Sequence, residues 1–167
     1  MQRRNEFIGY REPSIAVYLT SLPARSAQQA VSYNNATTDT LRNSPATHPG
    51  AAIYESDCAS CHGFDAKGFA SYMPALAGNP VVLDENPSSL INVVLNGSVP
   101  LVTQGSPDAY RMPQFRQQLS DQDAADVITF MRNRWGNQAP AVTAAQVAKL
   151  RKTTNPASDQ VIILKMR

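Results

Sequence analysis

Cys58-Ala59-Ser60-Cys61-His62 holds both cysteines of the chain and one of its two histidines. Thiols at i and i+3 lie one helical turn apart, close enough to reach two vinyl groups on neighbouring pyrroles of one porphyrin. The imidazole at i+4 from the first thiol turns toward an iron held between those two bonds. Five consecutive residues thus supply two thioether tethers and one axial nitrogen, which is the chemistry of covalent haem c attachment.

The competing readings of a CxxC pair ask for partners the chain lacks. A thioredoxin-like dithiol sits in a βαβ pattern, and none recurs here. A zinc site needs two further sulfur or imidazole ligands, and His48 is the only other histidine. A disulfide across two intervening residues is rarely a structural staple.

An iron with one histidine either takes a sixth ligand or keeps a position open. Methionine there raises the potential and suits an electron carrier, whereas an open or labile position suits gas binding or peroxide chemistry. Of the five methionines, Met1 and Met166 lie at the chain ends. Met131 falls on the apolar stripe of a helix and reads as core. Met73 and Met112 each precede a proline, which restricts the backbone before it and would stiffen a loop presenting sulfur. Reach does not separate them, because a loop extends by about 3.3–3.6 Å per residue. Met112 lies between two helices and far from His62 in sequence, which suits a segment covering the opposite haem face, so spacing favours it and leaves Met73 as the alternative. His48, beside Pro49 in a polar stretch, reads as solvated, with a bis-histidine iron as its other reading.

These residues need elements to hold them. Residues 50–60 read as a helix that carries Ile53 and Tyr54 ahead of Cys58. Gly63 and Gly68 break the chain, and residues 69–86 read as an ordered loop pinned by Pro74 and Pro80. Ser88 or Ser89 is expected to cap a short helix with Leu90, Val93, Val94 and Leu95 apolar, ending at Asn96-Gly97. A loop over 98–119 contains Met112. Ser120 with Asp123 resembles a capping box, with Asp for the usual Glu or Gln. Ala124, Val127, Ile128, Met131 and Trp135 then repeat at helical spacing until Gly136. Thr143 is expected to cap a last helix through Arg151. Upstream, Ser14–Leu22 forms a short amphipathic pattern stopped by Pro23, and residues 24–49 turn polar and read as a linker. In the tail, Val161–Leu164 reads as a short strand or packing segment. No period-2 alternation recurs, so the fold class is all-α.

With 167 residues, 43% hydrophobic content and 12 prolines, the chain has room for one domain and appendages. A net charge of +2 gives no case for nucleic acid. Residues 46–137 carry five basic against nine acidic side chains, and residues 138–167 carry five against one. Such asymmetry usually marks solvated faces, and it would also orient a redox partner. No run approaches the roughly 18–20 apolar residues that span a bilayer. Met1-Gln2-Arg3-Arg4 is followed by neither the apolar stretch nor the cleavage site of a secretory signal. Thioether attachment in bacteria takes place outside the cytoplasmic membrane, so the expectation is a fragment or a chain begun at another codon.

The assembled residues resemble a class I c-type cytochrome. Cys58–His62 matches the haem motif, and Pro74-Ala75-Leu76-Ala77-Gly78 is similar to the loop whose proline carbonyl accepts the ring N–H of the haem histidine. Met112 matches the axial methionine, and the helix carrying Phe130 and Trp135 resembles the last core helix that crosses the first near Gly50 and Tyr54. Leu76-Ala77-Gly78-Asn79-Pro80, Tyr110-Arg111-Met112-Pro113-Gln114-Phe115, Leu119-Ser120-Asp121 and Arg132-Asn133-Arg134-Trp135-Gly136-Asn137 look more specifically like the last haem domain of three-haem cytochrome subunits. Those subunits serve membrane-bound bacterial dehydrogenases for alcohols, gluconate and related polyols. Ile15–Pro23 is similar to the end of the preceding haem domain, and the resemblance covers about residues 14–152. The two further CxxCH motifs of that family are absent from this sequence.

The resemblance implies a class I cytochrome c fold of about three core helices around one covalent haem c. Residues 1–45 would then be the remnant of a preceding domain and a linker, 46–137 the monohaem domain, and 138–167 a C-terminal extension. The iron ligands would be His62 and Met112. Tyr110, Arg111 and Trp135 are candidates for bonding the haem propionates, with a solvated loop charge as the alternative for Arg111 and helix-end packing for Trp135. The implied function is one-electron transfer without enzymatic activity of its own, from a dehydrogenase subunit toward quinone or a terminal oxidase. The implied location is the periplasm or the periplasmic face of the inner membrane, with peripheral membrane association and no nucleic acid among the partners. The rival classes are a haem enzyme or sensor with a labile sixth ligand, and a haem-free remnant of a truncated gene.

Overall fold

The segment read as a linker contains a helix. The computed structural model describes residues 21–22, 32–43, 48–69, 72–98 and 110–154. Within it, α1 (Ala36–Asn43) begins where Asn34 Oδ1 accepts the Ala36 amide at 2.7 Å. Its Thr38 and Leu41 are buried although its composition is polar. Docking explains this: Tyr33 donates its hydroxyl to the Asp65 carbonyl at 3.0 Å, and the Asn34 amide donates to the Trp135 carbonyl at 3.1 Å. Val31–Arg167 group into one compact unit and Met1–Ala30 into another. Apart from Ser21 and Leu22, the pattern over 14–22 lies outside the described residues, as do the 155–167 tail, Met1 and Met166.

His48 opens the helix that bears the cysteines. Its Nδ1 accepts the Gly50 amide at 3.0 Å, and Pro49 takes the first helical position, where a missing N–H leaves nothing unsatisfied. The solvated reading of His48 is therefore corrected: the ring is a half-buried cap lying 6.2 Å from Phe130. The chain runs through α2 (Pro49–Ile53), one π turn (Tyr54–Cys58) and α3 (Ala59–His62) without a break. In the π turn the Ala59 amide reaches five residues back to the Tyr54 carbonyl.

α4 (Pro80–Leu83) interrupts the span expected to be loop, with Asn79 Oδ1 accepting the Val81 amide at 2.9 Å. In α5 (Ser88–Asn96) neither serine is the cap. Asn86 Oδ1 accepts from the Ser88 amide at 3.1 Å and its hydroxyl at 2.6 Å, so Pro87 stands at the boundary and Ser88 falls inside the helix. α6 (Asp121–Arg132) starts with the expected reciprocal box between Ser120 and Asp123. It stops three residues short of Trp135. The Ala139 amide bonds the Arg132 carbonyl at 3.1 Å and Asn137 Nδ2 the Met131 carbonyl at 2.8 Å, so the returning chain satisfies the last turn. Trp135 itself sits in the left-handed region at φ +57. α7 (Ala144–Thr153) is capped by Thr143, with Gln146 closing its box.

Every regular element among the described residues is helical, and the extended pairing there is limited to isolated bridges at Phe69–Met73 and Ser98–Met112. The all-α expectation holds. α2 crosses α6 at Gly50, where an added Cβ would meet the Asp126 carbonyl oxygen at 2.2 Å. α7 packs on both α5 and α6, and its Val147 is fully buried. Arg132, also fully buried, donates Nη1 to the Val82 and Asp84 carbonyls at 2.7 and 2.8 Å and Nε to Pro140 at 2.8 Å. Its Nη2 has no hydrogen-bond partner among the described residues, and burial pushes the guanidinium pKa down.

Candidate haem site

Cys58 and Cys61 are not joined to each other and are partly exposed, while Ala59 and His62 between and after them face inward. Burial, with smaller contributions from Asp57 and Cys61, pushes the Cys58 thiol up to about 12. It is therefore held as the neutral thiol, the form least prone to stray oxidation. Tyr54 closes the motif from behind by donating its hydroxyl to the Gly63 carbonyl at 2.6 Å, and burial raises its phenol well above the usual range.

His62 is buried, with Nδ1 3.0 Å from the Pro74 carbonyl oxygen. A carbonyl only accepts, so the proton of this bond belongs to Nδ1 and the lone pair to Nε2 on the other edge of the ring. Burial lowers the His62 pKa, with the Pro74 bond opposing it, and the neutral imidazole is the form that ligates metal.

The Pro74 carbonyl reaches the ring because residues 66–69 and 72–78 are folded tightly. The Gly68 amide donates to the His62 carbonyl at 3.0 Å, and the Phe69 amide to the Met73 carbonyl at 3.0 Å. Leu76 and Ala77 both donate to the Ala66 carbonyl, at 2.8 and 3.0 Å. Gly68 has φ +68, and an added Cβ would lie 2.2 Å from the Met73 oxygen and 2.7 Å from the Pro74 oxygen. Gly68→Ala is accordingly expected to lower stability by about 1–3 kcal/mol. It should also shift the His62 Nδ1 resonance in a ¹⁵N spectrum as Pro74 is displaced, and an unmoved resonance would contradict this role for Gly68.

Asn137 fastens the far end of this loop. Its Nδ2 donates to the Leu76 and Met131 carbonyls at 3.1 and 2.8 Å, and its Oδ1 accepts the Gly78 amide at 2.8 Å. Sequence reasoning quoted Asn137 only as part of a string and gave it no role. An asparagine just after Gly136, where the apolar pattern of α6 gives out, is the available signal.

Met112 is half-buried against the core and held by two bonds with Ser98, at 3.0 and 3.2 Å. Met73 is also half-buried but immediately precedes Pro74, on the Nδ1 side of His62. Met131 is a core residue. Tyr110 and Arg111 are exposed beside Met112, with Tyr110 edge-on to Tyr72 at 6.0 Å between ring centroids. Trp135 is fully buried and its indole N–H donates to the Phe64 carbonyl at 3.0 Å. That donor is thus engaged within the protein. Among the described residues no group of three or more His, Cys, Asp or Glu is placed to hold a metal ion. No helix there is long and apolar enough to cross a membrane.

Comparison with known proteins bears on this geometry. The family model described as Cytochrome c matches residues 47–135. The chain is similar to the cytochrome c subunit of a quinone alcohol dehydrogenase from Gluconacetobacter polyoxogenes, at 46% identity over 148 residues, covering 87% of this chain and 32% of that one. It is similar to the gluconate 2-dehydrogenase cytochrome c subunit of Pantoea cypripedii at 41% identity over 142 residues, covering 83% and 32%. The fructose dehydrogenase cytochrome subunit of Gluconobacter japonicus shares 32% identity over 158 residues, covering 83% and 32%. The chain thus spans about a third of the length of these relatives.

Proposed function

Because the chain belongs to the cytochrome c family, we propose that its haem-binding residues carry single electrons for a dehydrogenase. In this reading residues 46–137 hold one haem c bonded to Cys58 and Cys61, flanked by the segments 1–45 and 138–167. The donor set fits that group: two unjoined thiols, and an imidazole whose free lone pair lies on the edge away from Pro74. When bound, haem c supplies a one-electron ferric–ferrous couple.

The chain's own residues do the rest. His62 would ligate through Nε2, and its Nδ1–H bond to Pro74 fixes the tautomer and makes the ring a stronger donor. Met112 is the proposed sixth ligand. Support comes from its packing against the core and from the tie of Met73 to Pro74, whose carbonyl is already bonded to His62 Nδ1. Holding both ligands in either oxidation state keeps rearrangement small. Tyr110 and Arg111, exposed beside Met112, are proposed to face the propionates.

The relatives are named as cytochrome subunits of alcohol, gluconate and fructose dehydrogenases. By that likeness this module would accept electrons from a dehydrogenase's catalytic subunit and pass them toward quinone or an oxidase, at the periplasmic face of the inner membrane. It would be a carrier and not itself the enzyme. The observation that carries the reading is the His62–Pro74 bond directly behind an intact CxxCH motif.

The test is a pair of variants of the haem-loaded protein. Met112→Ala is expected to abolish the near-infrared sulfur–iron band and to let the ferrous protein bind carbon monoxide, while Met73→Ala leaves both as in the wild type. The reverse pattern would move the ligand to Met73. Ready carbon monoxide binding by the wild-type protein would favour the sensor or haem-enzyme class instead.

A further inference from the structure

Two arginines from distant parts of the chain grip each other's backbone. Arg116, in the turn that follows Met112, donates Nη1 to the Arg151 carbonyl at 2.7 Å, and Arg151 returns Nη1 to the Arg116 carbonyl. Arg116 also donates Nε to Asn96 Oδ1 at 2.8 Å, and Nη2 to the Thr154 carbonyl and hydroxyl at 3.1 and 3.2 Å. Arg151 bonds Asp121 at 2.6 Å and the Leu119 carbonyl at 2.8 Å. Asn96 completes the ring by donating to the Thr154 carbonyl at 3.1 Å.

The gripped turn leads directly into the Met112 loop. The Phe115 and Arg116 amides donate to the Val94 and Leu95 carbonyls at 3.1 and 3.0 Å, and Met112 pairs with Ser98 two residues beyond Asn96. α7 and the Thr154 that follows it therefore clamp the chain on both sides of the Ser98–Met112 pairing: the end of α5 through Asn96, and the 115–119 turn through Arg116 and Leu119. α7 lies beyond the residues 47–135 matched by the family model. Charge-assisted donors aimed at backbone carbonyls are sensitive to small shifts, because a misplaced guanidinium loses several bonds together.

We propose that α7 is a brace for the Met112 loop, acting through Arg151 and Arg116 as positioning residues that set how firmly the sixth ligand is held. This rests on the reading of Met112 above. The test measures how much added imidazole displaces the sulfur–iron band of the ferric haem-loaded protein, comparing wild type, Arg151→Gln, Lys152→Gln and Leu41→Ala. Loss of the charge-assisted bonds in Arg151→Gln is expected to reduce the displacing concentration by about tenfold. Lys152→Gln should match the wild type. Leu41→Ala, which weakens the fold away from the brace, should lower thermal stability and leave the displacement midpoint unchanged.

A midpoint for Arg151→Gln within about twofold of the wild type would overturn the brace, since loss of charge-assisted bonds should exceed that. So would an equal shift in Leu41→Ala. A wild type with no band at all would instead remove the Met112 reading on which the brace depends. Should Arg151→Gln fail to fold, Thr154→Val removes the hydroxyl that accepts from Arg116 and Asn96 and donates to the Leu150 carbonyl, leaves Arg151 intact, and should move the midpoint the same way by a smaller factor. Amide exchange adds a readout independent of the band: Phe115 and Arg116 should exchange faster in the brace variants and at the wild-type rate in Leu41→Ala.

Discussion

Trp135→Ala is expected to lower the unfolding free energy by about 3–5 kcal/mol. The side chain is fully buried, with its ring centroid 4.9 Å from that of Tyr54 and 5.4 Å from that of Phe130. Its indole N–H holds the Phe64 carbonyl, in the turn after His62. Alanine would open a cavity where three aromatic rings meet and would leave that carbonyl without its donor. Denaturant unfolding checks this, with the midpoint lowered and the slope unchanged. Trp135→Phe separates the contributions: it refills most of the volume but not the bond, so its loss should be only about 1–3 kcal/mol. Equal losses in the two variants would mean the hydrogen bond, not the packing, holds the site.

A comparable effect is expected at Gly50. An added Cβ there would lie 2.2 Å from the Asp126 oxygen, 2.6 Å from its carbonyl carbon and 2.9 Å from the Phe130 Cβ. Two of these are backbone atoms in the middle of α6, so no rotamer change relieves the clash. The helices must part. Gly50→Ala should cost about 3 kcal/mol, at the upper end for overpacking, and Gly50→Val more. The helix that would be pushed away is the one that carries Cys58, Cys61 and His62. Gly50→Val should therefore also reduce the fraction of exported protein that acquires haem, measured by mass, whereas a wild-type fraction would show that attachment tolerates a displaced helix.

What the sequence made legible was local. The Ser120–Asp123 box and the Thr143 cap depend on residues within a few positions of one another, and each forms as read. Trp135 shows the limit of periodicity. Its spacing put it on the buried face of α6 and the burial is real, but a left-handed turn delivers it after the helix has ended. α1 was hidden because ATTDTLRN has almost no apolar stripe; Thr38 and Leu41 are buried by docking rather than by pattern. His48 lies beside Pro49 in a polar stretch, which reads as solvated, and histidine is not among the usual helix caps, so its capping role carries no local signal. Asn137, Arg132 and the Arg116–Arg151 pair join segments tens of residues apart, and no local signal announces such partners.

The most direct measurement is the mass of the full chain after export through a cytochrome maturation system, read with its ultraviolet and visible spectrum. The expected product is the polypeptide plus one haem, resistant to acid–acetone extraction, with neither Cys58 nor Cys61 open to alkylation. A colourless product at the bare polypeptide mass, with both thiols alkylated, would contradict it.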